Sequence, residues 1–555
     1  DGYTRRLCQC SCLDLDVKFG GEYGAFKNRI EQFIEALRRC DIQPYVVLDG
    51  CADFPDLKWK TRKQRAEQRL KEAHDVATEG KKPWTVLPTL IWEVFRQTLT
   101  ELHVPLARCY TEADQQVAAL AQEWGCPVLS YDSDFFIFPL TRGMLHIKYF
   151  RWKNVQQREE QSFIPCKTYL SSRFCEAFSI QPLLLPVLPL CGFKNADPQE
   201  VFEEFLKDVP LEEREQRINS LQEAAHNYSL PLSSLSDFFK STLPPLRPVT
   251  EARFSSDFLD VLTNQRVGLS VVVDDMDKPS ANQVSLPLRR VLYELLLGRD
   301  KESALHVVQR PQVNGESEGA KHVFALDRKL AMTLCQAQDL APNVESLIDV
   351  CVKVSLFFLQ TALEQRRQVL LNALGVNVKS LGSLPIRLSD LALPLAATCF
   401  WLKEATPSPD PSLLKALLIG WCRGDTLRNN GDKSKSQITI HLGRDLDKDW
   451  CHWMNQWQSC LKDSFLLNQL LGAPLPDLTE LQVAVDFHLK LDSGSLNQSY
   501  IHDEDFKALL SITQRPEESP GYCSYCGFRG FRPMAQIPLS KGGEPAIRPR
   551  KGPKQ

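Results

Sequence analysis

The stretch Cys126 to Leu140, CPVLSYDSDFFIFPL, sets two aspartates one residue apart between two apolar runs. Pro127, Val128 and Leu129 read as a buried strand, and Phe135 to Phe138 suit the next one. Asp132 and Asp134 then stand at i and i+2 where a strand meets its loop, so their side chains are expected to point the same way. Two carboxylates about 4 Å apart repel by roughly 1 kcal/mol in water and about 4 kcal/mol at an effective dielectric near 20. Clustered carboxylates without neighbouring His or Cys suit hard cations that prefer oxygen, Mg2+ or Mn2+ ahead of Zn2+. Two such ions roughly 3.5 to 4 Å apart can activate a water and stabilise the leaving oxygen in phosphodiester cleavage. That charge would offset the repulsion.

Further acids recur along the first 150 residues, where helical and strand patterns alternate as in a parallel α/β sheet. Phe26 to Arg38 has helical spacing, and Pro44 to Leu48 is strand-like and stops at Asp49-Gly50. Helices are expected around Leu87 to Leu102 and Thr111 to Trp124, with a strand in His103 to Cys109. Asp1 begins the chain, Asp49 closes PYVVLD, Glu112 and Asp114 open a helix, and Asp132 and Asp134 follow the next strand. Ligands of open parallel sheets sit beyond the carboxyl ends of the strands, so these acids have a common edge on which to meet. Taken singly, Asp49-Gly50 also reads as a plain turn, and Thr111 as the N-cap of a helix whose acids favour its positive end.

A basic segment follows the first of these strand ends. Lys58, Lys60, Arg62, Lys63, Arg65, Arg69 and Lys71 place seven cations in fourteen residues. On a helix, Arg62, Arg65 and Arg69 share one face, able to follow a phosphate backbone. A solvated surface helix would carry the same pattern.

With 555 residues, 43% hydrophobic and 24% charged, the chain is long enough for two to four globular domains. Its net charge of -3 neither favours nor excludes nucleic acid. The 18 cysteines are scattered through apolar segments and read as reduced thiols of a cytosolic or nuclear protein. No apolar run reaches the roughly 18 to 20 residues that span a bilayer, so no membrane association is expected. The pattern divides into residues 1–240, α/β; 241–285, linker-like around Pro244, Pro245 and Pro248; 286–510, mainly helical; and 511–555, a basic tail expected to be disordered.

DGY at the start, PYVVLDG followed by a basic helix, TEADQQVAALA and CPVLSYDSDFFIF resemble the motifs of flap-endonuclease-type nucleases with a PIN-like α/β core. Their wording is closer still to the asteroid homologues within that superfamily. The likeness continues through PLRRVLYELLLG, RRQVLLNALGV, LPLAATCFWL and WQSCLKDSFLLNQLLGAPLP. The resemblance implies a PIN-like nuclease domain, N-terminally truncated, with a central mainly parallel sheet, followed by a mainly α-helical C-terminal domain. It implies Asp1, Asp49, Glu112, Asp114, Asp132 and Asp134 as ligands of two Mg2+ or Mn2+ ions, and Lys58 and Arg65 as the basic pair that steers the scissile phosphate. It further implies a structure-specific endonuclease acting on single-stranded, overhang or branched DNA, with a nuclear role in DNA repair beside DNA-repair proteins.

The pattern departs from the family in places. Relatives carry a further aspartate after a Gly-Asn or Gly-Ser step, where this chain has CGFKNAD with Asp197 out of register. DPQEVFEEFLKDV stands where flap nucleases have a glycine-rich helix-turn-helix that grips duplex DNA. The rival expectation is a catalytically impaired scaffold that binds DNA or repair proteins, and a third is RNA as substrate. Cys523 and Cys526 form a single CxxC without the two further ligands that zinc needs. Trp450, Trp453 and Trp457 share a helical face, read as core packing ahead of base stacking.

Overall fold

The computed structural model describes residues 21, 23–50, 59–79, 86–109, 112–178, 182, 185, 234–240, 255–264, 266–275, 277–297, 306–309, 325–326, 362–382, 384–418, 421, 448–476 and 504–513. Asp1, Lys58, the CGFKNAD and DPQEVFEEFLKDV segments, the proline-rich stretch near 245 and the CxxC lie outside them.

The chain is a mixed α/β protein, mostly helical, with small sheets. Helix α1 (Tyr23–Arg38) forms because Tyr23, Phe26, Ile30, Phe33, Ile34 and Leu37 recur at spacings of three and four and are all buried. Strand β1 (Val46–Leu48) follows, then α2 (Trp59–Glu79), α3 (Ile91–Glu101) and β2 (Leu106–Arg108). β1 and β2 pair in parallel with Val46 opposite Leu106, while α1 packs on α3. Helix α4 (Asp114–Trp124) ends at Gly125, whose left-handed φ of 61° lets its N–H reach back to the last turn. β3 (Val128–Ser130) pairs in parallel with β4 (Met144–His146), which is flanked antiparallel by β7 (Thr168–Tyr169). Between β4 and β7 stands an exposed hairpin of β5 (Gln156–Arg158) and β6 (Gln161–Phe163).

Phe135 to Phe138 do not form the expected strand. Ser133–Phe136 is a 3-10 turn capped by Asp132, whose carboxylate accepts the Asp134 N–H. That local bond bends the backbone, and Phe135 and Phe138 are buried beside Ala118, Val128 and Met144.

Helices α5 (Ser171–Phe178), α6 (Ser234–Lys240) and α7 (Ser256–Asn264) come next, then β8 (Arg266–Gly268), α8 (Leu286–Leu297), β9 (His306–Gln309) and β10 (Ala325–Leu326). Residues 255–285, assigned by composition to a linker-like region, hold α7, β8 and the buried Val272, Val273, Asp274 and Ala281. The prolines that suggested a linker precede them, and SDFLDVL carries a helical apolar pattern of its own.

The last elements are α9 (Leu363–Ala373), α10 (Val378–Gly382), α11 (Ala392–Glu404), α12 (Lys448–Leu470) and α13 (Glu504–Thr513). α12 is buried nearly all round and packs on α8 and α11. Its Trp457 is wholly buried and donates to Thr398 Oγ1 over 2.9 Å, while Trp450 and Trp453 lie half-buried against the same core, as expected for packing. One apolar cluster runs from Tyr23 and Phe26 to Leu509 and Ile512, so the first and last described helices share a core. Tyr23 joins them directly: its hydroxyl donates to Gln458 Oε1 at 3.0 Å and accepts the Leu90 N–H at 2.9 Å. Among the described residues, no helix is long and apolar enough to cross a membrane.

Candidate active site

The acids beyond β1, β2 and β3 are linked through the start of α4, by a bond from Asp49 and by the fields that reach Asp114. Asp49 directly follows β1, and its Oδ1 accepts the N–H of Ala113, the N-cap residue of α4, at 2.9 Å. The cap of α4 is therefore supplied from another segment, and a carboxylate there complements the positive end of the helix. This bond ties the end of β1 to Glu112 and Asp114. After β3, the Asp132 N–H donates to the buried Ser130 hydroxyl at 3.0 Å, and Asp132 Oδ1 accepts the Asp134 N–H at 3.1 Å. The two aspartates are thus arranged by a turn rather than by strand alternation.

Asp114 lies within the reach of the other acids. Its carboxyl is pushed up to about 7, first by burial and then by the fields of Asp132, Asp134 and Glu112. Neighbouring Cys109, buried at the end of β2, is pushed up to about 12 by burial and by Asp114, so it stays a neutral thiol. Among the described residues, no three His, Cys, Asp or Glu side chains stand close enough together to hold a metal ion. The donor set is nonetheless chemically that of a hard cation, all carboxylate oxygen, with Asp114 under net repulsion from its neighbours.

The basic segment is helical, as α2. Ala73, Val76 and Ala77 bury one side of it against Val86, Val273 and Cys451, and Leu70 is buried as well. Arg65 is exposed, whereas Arg69 is half-buried and its Nε donates to the Arg65 carbonyl at 3.0 Å. Lys60, Arg62 and Lys63 lie on α2, but their side chains are outside the description. Sequence reasoning passed over Ser130, which orders Asp132, and Cys109; burial at a strand end is the only local signal either carries.

Fold and site together define a mixed α/β protein with acidic residues on three chain segments that follow the strands β1, β2 and β3. The chain belongs to the asteroid family. It is 32% identical to the zebrafish (Danio rerio) protein named single-strand DNA endonuclease ASTE1, over 87% of this chain and 76% of that one. It is 30% identical to the human protein of the same name, over 98% of this chain and 88% of that one. The Drosophila melanogaster protein asteroid is 38% identical over 21% of this chain. A family profile described as the asteroid N-terminal domain matches residues 433–483. No solved structure matches the chain.

Proposed function

We propose that this chain is a metal-dependent, structure-specific endonuclease that hydrolyses phosphodiester bonds in single-stranded, overhang or branched DNA. The observation that carries the reading is the buried Asp114 carboxyl within the fields of Asp132, Asp134 and Glu112, with Asp49 bound to the same helix start. The names of the vertebrate relatives support DNA as the substrate. In this reading Asp49, Glu112, Asp114, Asp132 and Asp134, joined by Asp1, hold two Mg2+ or Mn2+ ions. When bound, the ions supply an activated water and stabilise the leaving oxygen.

The chain's own residues do the positioning. Asp49 locks the start of α4, and with it Glu112 and Asp114, to the end of β1. Ser130 and the 3-10 turn hold Asp132 and Asp134 in one register. Arg65, exposed on α2, attracts the phosphodiester backbone, with Lys58, Lys60, Arg62, Lys63 and Arg69 along the same segment. The reading carries with it a PIN-like core to about residue 240, a helical part from 286, and a nuclear repair role.

Labelled single-stranded, 3′-overhang, 5′-flap and duplex DNA, with single-stranded RNA beside them, should be incubated with the protein in Mg2+ or Mn2+. We expect cleavage of DNA carrying single strands, none in EDTA, and none by an Asp132→Ala, Asp134→Ala variant. A wild-type protein that binds DNA but cuts nothing, with binding indifferent to that double substitution, is the scaffold instead.

A further inference from the structure

Beside the acids lies a run of aromatic rings edged with lysines. Tyr131 directly precedes Asp132, and its ring centroid is 4.7 Å from that of His146. His146 sits opposite Ser130 in the β3–β4 pair and stacks parallel to Phe136 of the 3-10 turn at 6.3 Å. Its other neighbour is Tyr149, 5.5 Å away. The rings therefore lead from the residue before Asp132 out to a tyrosine that is 42% exposed.

Cations surround that exposed end. Lys167 Nζ stands 4.8 Å from the Tyr149 ring centroid and Lys148 Nζ 5.8 Å. The His146 Nδ1 accepts the Lys148 N–H at 3.2 Å, which orients the imidazole within the run. Over residues 141–170, Arg142, Lys148, Arg151, Lys153, Arg158 and Lys167 are all exposed, against only Glu159 and Glu160. This segment is basic in a chain whose net charge is -3.

We propose that Tyr149, with Lys148 and Lys167, is a stacking site for a nucleobase of single-stranded DNA and its flanking phosphates, on a path that leads to Asp132 and Asp134. Every base has a π face, so a tyrosine ledge holds a strand without reading its sequence. The lysines complement the phosphates on either side of the stacked base. A duplex hides its base faces, so the same ledge discriminates single strands from paired ones. The path to the carboxylates rests on the endonuclease reading; the stacking itself does not.

The test is fluorescence anisotropy with the full chain in EDTA, using oligo(dT), an abasic strand of equal length, and duplex. Tyr149→Ala is expected to weaken oligo(dT) binding at least about 5-fold while leaving the abasic strand unaffected, and Tyr149→Trp to restore it. Lys148→Ala with Lys167→Ala should weaken both strands and lower the slope of log affinity against log salt by about 0.7 for each phosphate that is no longer neutralised. Wild-type affinity for oligo(dT) in Tyr149→Ala, or an equal loss on both strands, overturns the stacking site. If the wild type cuts nothing in Mg2+ or Mn2+ yet Tyr149→Ala still loses oligo(dT), the ledge stands and the endonuclease reading fails. If the wild type cuts and Tyr149→Ala binds and cuts as well, the ledge fails and the reading stands.

Discussion

Asp114 is the residue at which the chemistry of the site becomes a stability effect. An unfolded aspartate titrates near pH 3.9, whereas burial and three neighbouring carboxylates push this one up to about 7. Between those values the native state binds more protons than the unfolded one, so stability falls as pH rises from about 4 to about 7. Above pH 7 the penalty is present in full, on the order of 2–4 kcal/mol. Asp114→Asn should therefore raise the melting temperature of the metal-free protein by several degrees at pH 8 and by little at pH 4.5. A divalent cation would relieve the same repulsion, so Mn2+ should raise the wild-type melting temperature at pH 8 more than that of the variant. Equal melting temperatures of wild type and variant at pH 8 would show that Asp114 carries no such penalty.

At the scale of elements, the position of the acids depends on how short strands are joined. Gly143, just before β4, has φ +74°, and an added Cβ would collide with the Tyr169 carbonyl oxygen of β7. Gly143→Ala should cost about 1–3 kcal/mol in backbone strain, with the clash in addition, and should loosen the β4–β7 edge. Amide hydrogen exchange should speed up at β4 and β7 while α1 and α3 stay protected. Because His146 ends β4, such a variant should also disturb the ring contacts with Tyr131 and Tyr149. The aromatic run Phe135 to Phe138 shows how elements override pattern. Its apolar content is that of a strand, but the Asp132 carboxylate on the Asp134 N–H forms a 3-10 turn first.

At the scale of the molecule, the described residues share a core that crosses the division suggested by composition. α12 buries many polar groups; some bond within the helix, as Ser464 does to the Cys460 carbonyl, and others find partners in distant segments. Asp463 on α12 pairs with Arg289 on α8 at 3.0 Å, both buried, and the same guanidinium donates to the Asn282 carbonyl and the Ser285 hydroxyl. Asp463→Ala leaves that cation unpaired and should cost about 3–5 kcal/mol in urea unfolding. The paired change Arg289→Met, Asp463→Leu should recover most of the loss, since a packed apolar pair avoids the desolvation penalty. Helices α1 and α12, and the acids at the strand ends, were legible in the sequence because apolar spacing and turn residues act over a few neighbours. Tertiary structure alone decided that Asp49 caps a helix 64 positions further on, that His146 stands opposite Ser130, and that Tyr23 bonds to Gln458. Local periodicity states which face of an element is apolar. Which faces meet is settled only when distant segments compete to bury them, and that competition sets Asp114 within the fields of Asp132 and Asp134.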